Sequence, residues 1–264
     1  MAKTPGNVYF DLTAEFNAVG RIAVLASGQA VVWYRLAMMS KDGDWIVRET
    51  GDACRRILDV LTRRGARYRP GAPLDPRWLA AGWSSHFELF DDRARRIRCD
   101  FFSRPPRVPV QRLERLFAAA DEASALPVVD VESLIRMKQT QRAKDYAVIG
   151  ELARRLPPDL ELALTTDPDR ILELAGEHGA GSSRPAVRAA LEGRGRLAVV
   201  LALAEETDRL QQLDRERVER HQQASAEYRQ AMRSLGRDAL RLPEAHARLV
   251  ELADRLLPDR LEEV

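Results

Sequence analysis

The sequence predicts an α+β protein: a small mixed β-sheet with flanking helices, followed by an all-helical C-terminal domain. Three observations lead there. Short runs of β-forming residues (Arg21–Ala26, Trp45–Val47, His86–Phe90 and Arg96–Phe102) all fall in the front half. Helical periodicity separates these runs and takes over completely after about residue 159. The composition, 45% apolar and 31% charged over 264 residues, is that of a globular chain with enough length for one large or two small domains. The division expected from this pattern is residues 1–158 and 159–264.

Leu12, Phe16 and Val19 recur at helical spacing, so Asp11–Val19 reads as an amphipathic helix. Arg21–Ala26 is a short apolar run, a buried strand, and Ser27-Gly28 breaks it before a helix over Gln29–Leu36. Lys41-Asp42-Gly43-Asp44 is a turn signal leading into the strand Trp45–Val47. Asp52–Arg64 is a helix with Ile57, Leu58 and Leu61 inward. Residues 65–82, punctuated by proline and glycine, read as a loop. His86–Phe90 and Arg96–Phe102 form a hairpin. In its second strand Ile97, Cys99 and Phe101 alternate with Arg98 and Asp100, so one face is apolar and the other carries a carboxylate. Helices follow at Pro109–Ala120, Val131–Lys138 and Ala143–Leu156, the last stopped by Pro157-Pro158. Asp167 caps a helix at Pro168–Glu177, Gly179–Pro185 is a loop, and Leu197 to about Leu235 is one long charge-laced helical stretch.

Charge is distributed unevenly. Residues 1–150 carry 24 Lys/Arg against 18 Asp/Glu, a charge of +6; residues 151–264 carry 18 against 22, or −4. A basic front half suits an anionic partner such as a nucleotide or RNA. Only four of the basic residues are lysines: Lys3, Lys41, Lys138 and Lys144. A lysine is a compact point charge for a single phosphate oxygen, so each of the four marks a position to inspect. Two cysteines, Cys54 and Cys99, exclude a disulfide framework or a thiolate zinc cage and point to a cytoplasmic protein. No long uncharged apolar run and no signal-peptide pattern is present, so no membrane partner is expected.

Three features fall in an order that carries chemistry. Ser27-Gly28 joins a strand to a helix, where free backbone N–H groups and the helix dipole favour a phosphate. Asp42 and Asp44, two residues apart at a strand start, point the same way. Asp100 stands on the polar face of a later strand. Three carboxylates together repel, and two divalent cations relieve that repulsion; Mg²⁺ keeps room for substrate phosphates. Such a cup suits two-metal phosphoryl or nucleotidyl transfer.

These residues resemble the DNA polymerase β-like nucleotidyltransferase superfamily, whose signature is a small-residue turn, a spacer, Asp-x-Asp, and a third acidic residue on a later strand. Here the spacer is residues 29–41. Within the superfamily the sequence is most similar to minimal nucleotidyltransferases of the abortive-infection, type IV toxin-like kind. Those continue with Leu-Ile-x-x-Lys and Arg-x-Lys-Asp, matched by Leu134-Ile135-Arg136-Met137-Lys138 and Arg142-Ala143-Lys144-Asp145. The resemblance spans residues 10–156. It implies a nucleotidyltransferase fold for the front domain, with Asp42, Asp44 and Asp100 holding two Mg²⁺ and Asp100 helping to deprotonate an attacking hydroxyl. It further implies that Ser27 and Gly28 touch the triphosphate of an NTP, that Lys138 contacts it too, and that Lys144 with Asp145 shapes the far wall. The implied reaction moves a nucleoside monophosphate from an NTP to a hydroxyl, with the 3′ end of tRNA or another RNA as acceptor and an antitoxin protein as a partner. The sequence departs from the pattern at Ala26-Ser27-Gly28-Gln29, at Gly43, where an apolar residue is usual, and at Met38, where arginine is common.

Two other readings stay open. One is a small-molecule transferase of the aminoglycoside type, which needs an acidic pocket for a polycation. The other is an inactive binding module that keeps the fold. The C-terminal half, without a single lysine, is expected to help choose the acceptor and to supply no catalytic group. His86 lies near the hairpin, Cys99 alternates into the core, and Trp78 and Trp83 precede the hairpin where either could stack on a base.

Overall fold

Five strands form one mixed sheet in the order β1-β2-β5-β4-β3. The strands are β1 (Ala23–Ala26), β2 (Asp42–Val47), β3 (Arg67–Tyr68), β4 (Ser85–Phe90) and β5 (Arg96–Phe102). All neighbours are antiparallel except β2 and β5, which run parallel. The structure, a computed structural model, describes residues 6–118, 126–236 and 240–259. Lys3 and the last two residues of the expected 109–120 helix lie outside these.

Helices flank the sheet: α1 (Val8–Phe16), α2 (Ser27–Trp33), α3 (Gly51–Arg63), α4 (Pro76–Ala80) and α5 (Val110–Ala118). Local chemistry fixes their starts. Asn7 caps α1, Thr50 caps α3 and Asp75 caps α4, each by accepting a backbone N–H of the first turn. After these come α6 (Val131–Lys138), α7 (Ala143–Ala153), α8 (Pro158–Leu164), α9 (Pro168–His178), α10 (Pro185–Leu191), α11 (Gly195–Ala224), α12 (Ala226–Ser234) and α13 (Leu242–Leu256). The architecture is therefore α+β, with every described element after residue 129 helical, as the sequence predicts. Among the described residues no helix is long and apolar enough to cross a membrane.

Four local expectations change. The strand expected at Trp45 begins at Asp42, because Asp42 and Gly43 pair with Arg98 and Cys99 of β5 and so prefer the ladder to a turn. Helix α2 begins at Ser27, two residues early. The 65–82 segment contains β3 and the Asp75-capped α4, each too short for periodicity to reveal. The long stretch after Leu197 is two helices parted at Ser225, whose hydroxyl donates back to the His221 carbonyl at 2.7 Å and loosens the turn.

One face of the sheet is the core. Trp45 of β2 stacks on Phe101 of β5 with ring centroids 5.2 Å apart, and Phe16 packs edge-on against both. The indole N–H of Trp45 donates to the Thr13 hydroxyl at 2.8 Å, which satisfies a buried donor. Cys54 and Cys99 are buried free thiols. Burial pushes the Cys99 thiol well up, which suits a core residue and not a nucleophile.

The chain divides into two compact units, Met1–Val129 with His221–Val264, and Asp130–Arg220. This differs from a linear division at residue 158, because the last helices return to the sheet. Tyr228, Met232, Leu242, Leu249 and Leu252 bury their side chains in the same core as Trp45 and Phe101. Tyr228 donates to the Gly71 carbonyl at 3.1 Å, Trp83 to the Pro258 carbonyl at 3.1 Å, and Tyr68 shares a 2.8 Å hydrogen bond with His246 Nδ1. Helix α13 covers β3, an edge strand that would otherwise present unpaired backbone groups. The second unit has its own core of Leu162, Ile171, Val187, Val199 and Leu203. There Arg184 ties Glu206 to the carbonyls of Leu162 and Thr165.

The return of α13 gives a direct expectation. Leu249→Ala, a truncation of a fully buried side chain, lowers the stability of the sheet unit by about 2–5 kcal/mol in urea unfolding. A chain ended at Pro158 exposes the apolar surface that α12 and α13 cover and aggregates on expression.

Candidate functional site

The face opposite the Trp45–Phe101 core is half-open and charged. Side chains alternate across strands, so Trp45 and Phe101 inward place Asp42, Asp44, Arg98 and Asp100 on the other side. The register then lines them up in rows. Ala26 of β1 pairs with Asp44, Asp44 with Asp100 across the parallel ladder, and Asp100 with His86 of β4. Arg69 extends this row, since its backbone N–H donates to the His86 carbonyl at 2.8 Å. A second row holds Asp42, Arg98, Glu88 and Arg67.

Like charges abreast are offset by cations in the same rows. Asp100 Oδ1 accepts from Arg69 at 3.1 Å and lies 2.8 Å from His86 Nδ1. Asp42 Oδ1 accepts from Arg98 at 3.4 Å. The His86 ring sits against Gly71, where a Cβ would come within 2.4 Å of it, so a glycine there seats the imidazole.

The turn before α2 stands beside this face, because Ser27 directly follows Ala26, the partner of Asp44. Ser27 holds a φ of 50°, in the left-handed region uncommon for residues other than glycine. Gly28 has a packing reason of its own: a Cβ there would meet the Ser40 hydroxyl at 2.2 Å. Buried Gln29 fastens the segment before β2, donating to the Ser40 carbonyl at 3.0 Å and the Asp42 carbonyl at 3.4 Å. The Tyr9 hydroxyl donates to the Lys41 carbonyl at 2.6 Å, and its pKa is pushed up to about 12, first by burial and then by neighbouring Cys99 and the charges of Asp42 and Asp44. Gly43 is explained the same way: a Cβ would fall 2.4 Å from the Tyr9 ring and 2.5 Å from that of Trp45, so these aromatics fill the space an apolar side chain would use.

The structure therefore brings Asp42, Asp44 and Asp100 onto one face, with Ser27 and Gly28 beside Asp44. The donor set has the right chemistry for Mg²⁺, three half-exposed carboxylates on adjacent strands. The carboxylates do not converge: among the described residues no group of three or more His, Cys, Asp or Glu is placed to hold a metal ion.

Lys138, Lys144 and Asp145 belong to the second unit. Lys138 and Asp145, 7% and 6% exposed, form a buried ion pair at 3.1 Å. The Thr140 hydroxyl donates to Asp145 at 3.0 Å and Arg142 lies 2.9 Å from it. Burial alone would raise the Asp145 pKa; the charge and hydrogen bond of Lys138, with Arg142 and Thr140, outweigh it and hold the carboxyl below its ordinary value. Buried Asp214 accepts from the Gln141 N–H at 3.0 Å and fixes the same turn. Lys144 is exposed.

Sequence reasoning did not single out Tyr9, Gln29, Arg69, Gly71 or Arg98. Strand alternation was a sufficient signal for Arg98, two residues before Asp100; the short strand carrying Arg69 gave none. Of the aromatic residues considered for base stacking, Trp78 and Trp83 are buried. A hollow of about 300 Å³ lies elsewhere, beyond the carboxyl ends of β2 and β5, lined by Val47, Glu49, Arg104, Leu113 and Phe117 among others; none of the candidate residues lines it.

No protein-family model and no curated protein matches the chain. Among solved structures it is similar to a candidate nucleotidyltransferase from H. pylori, at 12% identity and a TM-score of 0.41, over 79% of this chain and 94% of that one. It is also similar to JHP933 from Helicobacter pylori, at 12% identity and a TM-score of 0.39, over 80% and 92%. At likeness this distant, the functional reading rests on the residues themselves.

Two expectations follow from the site's packing. Gly43→Ala destabilises the sheet unit by about 1–3 kcal/mol, because the Cβ meets ring atoms that have no room to move; thermal unfolding measures it. Lys138→Met leaves buried Asp145 with only Arg142 and Thr140 as partners and costs up to about 3–5 kcal/mol, whereas Lys138→Met with Asp145→Leu costs clearly less. Because the Asp145 pKa is lowered on folding, its contribution is present above the ordinary carboxylate value near 3.8 and is lost as pH falls below it. The gap between wild type and the double variant in urea unfolding accordingly narrows in acid.

Proposed function

We propose that the chain is a nucleotidyltransferase that moves a nucleoside monophosphate from an NTP to a hydroxyl on RNA, the 3′ end of tRNA being the favoured acceptor. One observation carries the reading: Asp44 and Asp100 stand abreast on adjacent parallel strands, Asp42 shares their face, and the Ser27-Gly28 turn follows the residue paired with Asp44. In this reading Asp42, Asp44 and Asp100 would hold two Mg²⁺ once their side chains turned toward one another, and the ions would supply charge stabilisation to the triphosphate and the attacking oxygen.

The chain's own groups do the rest. Ser27 and Gly28 receive the phosphates beside the carboxylates. Arg69 and His86 fix Asp100 through Oδ1; no described side chain bonds Oδ2, which faces the acceptor hydroxyl as proton acceptor. The acceptor oxygen bonds to the α-phosphorus, the bond to the bridging oxygen breaks, and pyrophosphate leaves with its electrons. The resemblance to toxin-like enzymes adds an antitoxin protein as partner. The basic front half favours RNA over an aminoglycoside, since the excess acid lies in the other half of the chain.

A second reading is favoured by the pairing of Asp42 with Arg98 and of Asp100 with Arg69: a binding module that holds a nucleotide without transfer. Incubation with labelled NTPs, Mg²⁺ and total RNA separates the two. Wild type transfers label, EDTA abolishes transfer, and Asp44→Asn lowers it at least about a hundredfold while the melting temperature holds. Transfer that survives Asp44→Asn overturns the catalytic reading. No transfer together with an NTP-dependent thermal shift establishes the module.

A further inference from the structure

The segment between α2 and β2 has a composition that its own folding does not explain. Helix α2 ends in a Schellman arrangement: Arg35 N–H donates to the Val32 carbonyl at 2.9 Å and Leu36 N–H to the Val31 carbonyl at 3.1 Å. The residue at the turn takes a positive φ and is usually glycine; here Arg35 takes it, at 59°. Beyond it Met38 is 100% exposed and Met39 79%, while Trp33, braced edge-on by Phe10 at 5.6 Å, is 41% exposed. Arg35 and Lys41 are exposed, and neither side chain has a partner among the described residues. Lys41 is one of only four lysines.

The two ends of the segment are not loose. Gln29 and Tyr9 hold its last backbone carbonyls, those of Ser40 and Lys41, at 3.0 Å and 2.6 Å. The result is a fastened strap that ends at Asp42 and presents apolar side chains interleaved with cations. A packed interior is not what this pattern serves. Flat and polarizable groups between cations match a nucleic-acid strand, with bases on the apolar groups and phosphates on the cations.

We propose that residues 33–41 form a binding site for single-stranded RNA, with Trp33, Met38 and Met39 against bases and Arg35 and Lys41 on phosphates. This deepens the transferase reading by giving the acceptor strand a seat beside the carboxylates, and in that sense rests on it. A residue other than glycine at this φ costs stability, and in this site the charge of Arg35 supplies the compensating phosphate contact.

The test is fluorescence anisotropy with a 5′-labelled single-stranded RNA oligonucleotide, without NTP or Mg²⁺, across a salt series. Wild type binds. Met38→Ser with Met39→Ser weakens Kd by about fivefold or more, as expected for lost apolar contact with the bases. Arg35→Gly relieves the backbone and keeps or raises the melting temperature, yet weakens binding and lowers the log–log salt slope by about 0.7, one phosphate contact. Lys41→Ala lowers the slope by a similar amount. Unchanged affinity and slope in these variants, or no binding by wild type, overturns the proposal. Loss of self-association in place of RNA binding overturns it too and gives the strap to a second copy of the chain. Because no nucleotide or metal is used, failure of the transferase reading leaves this measurement unaffected and is recognised separately by label transfer.

Discussion

The stacking of Trp45 on Phe101 sets the register on which the candidate site depends. Side chains on a strand alternate, so a slip of one residue between β2 and β5 would turn the acids inward and the aromatics outward. Two large rings that interlock with Phe16, with the indole N–H tied to Thr13, make such a slip very costly. The rings are thus what aligns Asp44 with Asp100. Gly43 belongs to the same constraint, since the space beside it is taken by Tyr9 and Trp45.

With the register fixed, the open face becomes a problem in charge placement. Carboxylates in adjacent strands repel, and the chain answers with Arg69, His86 and Arg98 in the same rows. These side chains do more than offset charge. They hold one oxygen of Asp100 and one of Asp42, which orients each carboxylate on a surface where it would otherwise sample several rotamers. In the row of Asp42, Arg98, Glu88 and Arg67, acid and base alternate across four strands.

Much of this face was legible in the sequence. The alternation of Ile97, Cys99 and Phe101 with Arg98 and Asp100 gave both the core side and the open side of β5, and Asp42-x-Asp44 gave the pair opposite. What could not be read were relations fixed by tertiary packing. Arg69 sits on a two-residue strand inside a proline- and glycine-rich stretch, where neither period is visible. The reason for Gly28 is Ser40, which sequence distance conceals. Lys138 and Asp145 were read as separate contacts for a ligand; burial makes them partners of each other. Tyr228, Met232 and Leu249 fall at helical spacing, but an amphipathic pattern does not name the surface it covers.

The sheet unit is built from the two ends of the chain, with Asp130–Arg220 intervening. This has a consequence for synthesis on the ribosome. The intervening unit is continuous, and its helices meet neighbours close in sequence, so it can fold as it emerges. The sheet's apolar face, which α1 packs against early, is completed only when α13 has left the exit tunnel, a delay of roughly 8–30 seconds at about 5–20 residues per second. An incomplete chain therefore carries its acids on a sheet whose core is unfinished.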